Sequence, residues 1–153
     1  MEVGQFESRC LANMEEHNLW SRRLFALGNG QPSRKMLQQW AMQAGMIDEI
    51  FAEILQSLIA NPLIPSFSHR EIMENLNDEL GNGDKTQEHF KLFQGVLASL
   101  SVSVGQYRET APLTGTDVIL RGLRNSVTGD PVRALAIMAS EELICPREFP
   151  ILM

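Results

Sequence analysis

Between Asn75 and Phe93 the chain reads NLNDELGNGDKTQEHFKLF, with a carboxylate, Glu79, and an imidazole, His89, on either side of a glycine turn. Oxygen and nitrogen donors carried by neighbouring helices are the ligand types that hold iron or manganese inside a helical bundle. Glu79 falls in the last turn of its helix, where the macrodipole disfavours a carboxylate by about 0.3 to 1 kcal/mol at an exposed site. A lysine, a backbone amide or a metal ion should therefore compensate it. His89 stands with Phe93, Val96 and Leu100 at i, i+4, i+7 and i+11, the centre of an apolar arc, and is expected to face the core. There it is either a histidine bonded to a carbonyl or a ligand. Glu142 lies in the apolar stripe of a later helix, where a lone ionised carboxylate is costly unless it meets a cation or strong donors. The other two histidines have no such setting; His69, beside a helix cap, is expected to be exposed.

The elements that must position these residues read as helices. Residues 4–18 and 19–27 make one or two short ones, closed by Gly28-Asn29-Gly30 and Pro32. From Met36 to Leu58 apolar residues recur every three or four positions, from Leu37 and Trp40 through Ile47 and Phe51 to Leu58, and Asn61-Pro62 stops the run. After the extended PLIPSF connector, Ser68 with Glu71 predicts a capping box opening the next helix. On that helix Ile72, Met73, Leu76 and Leu80 form one stripe, with Glu79 at its edge, and Gly81 ends it. Asp84 and Gln87 give a similar start signal for a helix to about residue 100. Residues 101–115 read as loop, and helices follow over about 116–127 and 131–145, the last opened by Asp130-Pro131.

Size and composition fit one domain. With 153 residues the chain is long enough to bury a core without disulfides or structural metal. The pattern is all-α, a single helical bundle over 1–153. Charged residues make up 21% and hydrophobic residues 44%, an ordinary globular balance, and no apolar run reaches the roughly 18 to 20 residues of a membrane span. The N-terminal MEVGQFESRC has neither a basic nor an apolar leader region, so a cytoplasmic location is expected. A net charge of −6 with scattered basic residues argues against a nucleic-acid partner. Cys10 and Cys145, far apart and in no CxxC motif, read as core thiols.

The run ENLNDELGNGDKTQEHFKLF, preceded by HNLWSRRLFALGNGQPSRKMLQQWAMQ and followed by DPVRALAIMASEELICP, resembles the heme-oxygenase-like family of iron-containing redox enzymes. These are the heme-oxygenase-like diiron oxidases, related in fold to the pyrroloquinoline quinone synthase and TenA groups. The resemblance implies a heme-oxygenase-like bundle with Glu79, His89 and Glu142 as metal ligands. It also implies iron as cofactor, with manganese an alternative, and dioxygen and a small organic substrate as reaction partners. Family members build part of a substrate cavity near the position of Asp48, which solvation explains equally well. They also continue with a His, Asp and His cluster that completes the second iron site. This chain ends at Met153 without one, so a truncated bundle with an incomplete di-iron centre is expected, and a homo-oligomer that covers the exposed helix faces. Three functions stay open: a metal-dependent oxidase or oxygenase, a metal-free relative that binds a small molecule, and an interaction subunit that needs a partner chain.

Overall fold

The computed structural model describes residues 33–130 together with 133, 135, 136, 138 and 139. Two compact units divide the chain, one of residues 34–134 and one of residues 1–33 with 135–153. In the second unit Leu135, Ala136, Met138 and Ala139 are helical. Glu142, Cys10, Cys145, His17 and the helices expected over 4–27 lie outside the described residues, as does most of 131–145.

Every described element of the first unit is helical, and no strand occurs among the described residues, so the fold class is all-α. The long apolar repeat forms α1, Arg34–Ala60, whose 27 residues span about 40 Å. Three helices pack against it: α2, His69–Glu79; α3, His89–Ser99; and α5, Thr114–Thr128. A short α4, Val104–Glu109, links the last two. The core is the buried face of α1, with Ala41, Ile54, Leu55 and Leu58, against Ile72, Leu76, Phe93, Leu97, Tyr107, Leu120 and Leu123.

Polar side chains fix the helix ends. Asn61, just past α1, accepts from the Leu63 amide at 2.9 Å and donates to the Val127 carbonyl at 3.0 Å, tying the C-terminal ends of α1 and α5 together. At the end of α3, Val102 and Ser101 donate back to the Leu97 and Ala98 carbonyls, with Ser101 in the left-handed region at φ 62°. The first turns of α1 serve the same helix end: Gln38 donates to the Leu100 carbonyl at 2.8 Å, and Arg34 to the Ser101 hydroxyl at 2.7 Å. Cationic and amide donors there satisfy carbonyls that the helix leaves unpaired.

Three local expectations are corrected. The Ser68 side chain makes no cap bond, because its backbone is helical (φ −84°, ψ −14°) in a tight turn over Ser66–Ser68 that runs straight into α2. The α2 stripe is narrower than expected, for Met73 and Leu80 are 42% and 41% exposed and only Ile72 and Leu76 are buried. Residues 104–109, expected in a loop, form a helix because Ser103 and Gln106 make a complete capping box.

Gln43 is buried in α1, where its amide donates to the Ala111 carbonyl and accepts from the Leu113 amide at 2.7 Å. This pins the extended connection between α4 and α5 to α1. Two residues on, Gly45 lets α3 and α4 close in. A Cβ there would lie 2.9 Å from the Phe93 ring and 3.2 Å from the Tyr107 ring. Alanine gains about 0.5 to 1 kcal/mol over glycine in a helix interior, whereas overpacking a core costs about 1 to 3 kcal/mol. Gly45→Ala is therefore expected to lower the urea midpoint of unfolding; a raised midpoint would show that the two rings yield freely.

Candidate functional site

The turn between α2 and α3 is set by backbone geometry that glycine alone meets. Gly81 has φ 76°, and a Cβ on it would lie 2.8 Å from both the Gln87 carbonyl carbon and the Glu88 nitrogen. Asn82 follows at φ 53°, its amide donating to Asp78 at 2.7 Å, and Gly83 has φ 90°. Asp84 then donates its amide to the Gly81 carbonyl at 2.9 Å. Its carboxylate accepts from the Thr86 amide and hydroxyl at 2.9 and 2.7 Å, and these bonds hold it below the usual carboxylate range. The chain thus folds back on itself within nine residues.

The fold-back brings the two candidate residues together: His89 Nδ1 lies 2.8 Å from Glu79 Oε1. The Glu79 side chain is 12% exposed and that of His89 46% exposed. His89 therefore does not face the core as its place in the apolar arc implied. Asp84 spends its cap on a single turn, Lys85–Gln87, so α3 begins at His89, and an opening residue of a helix is free to reach back toward the preceding one. The compensation expected for Glu79 is this imidazole. An ionised carboxylate only accepts, so Nδ1 is the donor, and in a neutral ring the lone pair is left on Nε2.

On α1, two successive carboxylates stand in contrasting states. Glu49 accepts from the Tyr107 hydroxyl at 2.9 Å and pairs with Arg108, whose guanidinium lies 5.6 Å over the Tyr107 ring. Burial and the bond to Glu49 raise the Tyr107 phenol above its ordinary range. The Phe90 ring, at 5.9 Å from that of Tyr107, connects this network to the first turn of α3. Asp48 has no such partners. Its Oδ2 is buried without a hydrogen bond among the described residues, and burial pushes its carboxyl up to about 6 against the opposing charge of His89. Polar contacts thus join α1 to α4 through Glu49, Tyr107 and Arg108, and α2 to α3 through Glu79 and His89.

Glu142, the third residue of the expected ligand set, lies outside the described residues. Among the described residues no three His, Cys, Asp or Glu side chains stand close enough together to hold a metal ion as they are. His69, expected to be exposed, is half-buried, and its Nε2 has no hydrogen-bond partner among the described residues. Tyr107, Arg108 and Glu49 form a polar network that sequence reading missed; the Ser103 and Gln106 spacing was the signal for the helix that carries two of them. No helix among the described residues is long and apolar enough to cross a membrane. Compared with protein-family models, with curated proteins and with solved structures, the chain matches none.

The elevated Asp48 carboxyl has a consequence for stability. Unfolded, the group titrates near 3.8, and folded near 6. Between those values the folded chain binds more protons, so stability falls as pH rises through this window and the full cost is felt above it. With partial solvent screening that cost is on the order of 1 to 3 kcal/mol. Urea unfolding across the window is expected to show this slope in the parent and not in Asp48→Asn; equal slopes would contradict the assignment.

Proposed function

We propose that this chain is a non-heme iron protein of the heme-oxygenase-like kind, an oxidase or oxygenase acting with dioxygen on a small organic substrate. The observation that carries the reading is the 2.8 Å contact between Glu79 and His89, the two residues at the centre of the resemblance. Donor chemistry suits the ion, since imidazole nitrogen is a ligand of non-heme iron and a carboxylate on the ring's other nitrogen is the usual partner of a metal-binding histidine. On α1, the helix on which α2 and α3 pack, Asp48 carries a buried oxygen with no hydrogen bond among the described residues.

An iron ion held there would supply one-electron exchange with dioxygen. The residues do the rest. A carboxylate on the far nitrogen of a metal-binding histidine fixes the ring's tautomer and orientation and raises its basicity, and Glu79 does this for His89. Because Nδ1–H donates to Glu79, Nε2 is the nitrogen offered to a ligand. The half-exposed His89 ring leaves that atom open to small molecules, while Glu79, largely buried behind it, stays protected from solvent competition.

The alternative is a helical protein that binds a small molecule without metal. Anaerobic loading with Fe(II), followed by desalting and metal analysis, separates the two. The proposal expects stoichiometric retained iron, lost in His89→Ala and weakened about 10- to 100-fold in Glu79→Gln. No retained iron, or retention indifferent to His89→Ala, would select the metal-free reading.

A further inference from the structure

We infer that Asn82-Gly83, at the apex of the turn joining α2 to α3, is a self-modification site whose conversion to a β-aspartyl linkage disconnects Glu79 from His89. Asparagine is thermolabile, most of all before glycine, where no side chain shields the attacking backbone nitrogen. Asn82 and Gly83 are both exposed, and a Cβ on Gly83 would meet nothing within 4 Å. The reaction consumes only water, so it proceeds whether or not a cation binds at His89.

The Gly83 amide nitrogen attacks Cγ of Asn82. A bond forms between them, the Cγ–Nδ2 bond breaks, and the amide hydrogen leaves with Nδ2 as ammonia, closing a succinimide ring. Water then opens the ring. Cleavage between the nitrogen and Cγ leaves an ordinary aspartate; cleavage between the nitrogen and the main-chain carbonyl carbon leaves a β-aspartyl linkage, in which the backbone runs through Cβ and Cγ and the main-chain carbonyl has become a carboxylate.

The closed turn holds this chemistry back. Asn82 sits at φ 53° and ψ 35°, where tetrahedral geometry at Cα places the Gly83 nitrogen anti to Cβ, and its Nδ2 is tied to Asp78 at 2.7 Å. Attack needs ψ to rotate, and with it the turn to open. The side-chain bonds that brace the turn, Asn82 to Asp78 and Thr86 to Asp84, are all exposed, the class of contact that opens locally before a core does. Once formed, the β-aspartyl linkage prevents closure. It adds a backbone methylene inside the segment that the 2.9 Å bond from the Asp84 amide to the Gly81 carbonyl spans. It also replaces the amide that donated to Asp78 with a carboxylate in a turn that already carries Asp78 and Asp84, and like charges repel. The helix ends then separate, and the 2.8 Å contact of His89 with Glu79 is lost.

The full chain, free of metal, is incubated at mildly alkaline pH beside a synthetic peptide of residues 78–86, which serves as the clock for an open turn. Peptide mapping by mass spectrometry locates the converted asparagine, isoaspartyl methyltransferase labelling counts the β-aspartyl product, and nitrogen-15 resonance follows the Nδ1-protonated His89 ring. Asn82 is expected to convert with the β-aspartyl form in excess, and the His89 signal to fall in step. In Gly81→Ala, whose added Cβ forces the turn apart, conversion is expected to run at least about tenfold faster. Asn82→Gly, which adopts positive φ freely and has no amide to lose, is expected to keep the His89 signal throughout. An Asn82 amide intact after the peptide has fully converted overturns the site. A Gly81→Ala rate equal to that of the parent overturns the control by turn opening, and a His89 signal that survives conversion, or that decays equally in Asn82→Gly, overturns the disconnection.

Discussion

The contact on which the site depends is between backbones. At residue 81 the chain passes so close to the Gln87–Glu88 peptide that a single Cβ would occupy the same space. Any residue but glycine would also be strained at φ 76°. Because that approach is possible, the nine residues between Glu79 and His89 fold into a closed turn, and the carboxylate ending α2 meets the imidazole opening α3. Loosening it would separate the two helix ends and leave Glu79 at an unfavourable helix C-terminus without its imidazole partner.

The second constraint is α1, the wall against which everything else is placed. Its apolar face supplies the core, but at one level it turns polar. Gln43 clamps the connection ahead of α5, Gly45 admits the rings of Phe93 and Tyr107, Asp48 keeps a buried oxygen without a hydrogen bond among the described residues, and Glu49 holds Tyr107 and Arg108. These residues all lie within two turns of helix. A helix that carries its tightest backbone approach and its charged groups in the same short stretch orients the helices around it as well as filling the core. Glu49 with its partners is structural in this sense, locking α4 down. Asp48, left unpartnered in the same stretch, is the group for which structure alone gives no reason.

What the sequence revealed and what it hid follow from range. The pairing of Glu79 with His89 was legible because a glycine turn is local, and helix period sufficed for α1, α2 and α3. The direction of His89 was not legible, since it depended on whether Asp84 capped the helix or one turn before it, a choice settled by the hydroxyl and amide of Thr86. The helix over Val104–Glu109 was hidden by its six-residue length, too short for a periodic signal, although its capping box stood in plain view. The Tyr107, Arg108 and Glu49 network joins residues far apart in the chain and has no one-dimensional trace. The edge position of Asp48 could be read from the helical wheel; that its oxygen ends up buried could not, because burial there is decided by neighbouring helices.

His89 presents Nε2 for use only if its Nδ1–H donates to Glu79. Nitrogen-15 nuclear magnetic resonance of the metal-free protein, at a pH where the ring is neutral, reads this directly. The Nδ1-protonated tautomer is the predicted dominant form, with Nε2 bearing the lone pair. A dominant Nε2-protonated tautomer, or a ring that exchanges freely between the two, would contradict it.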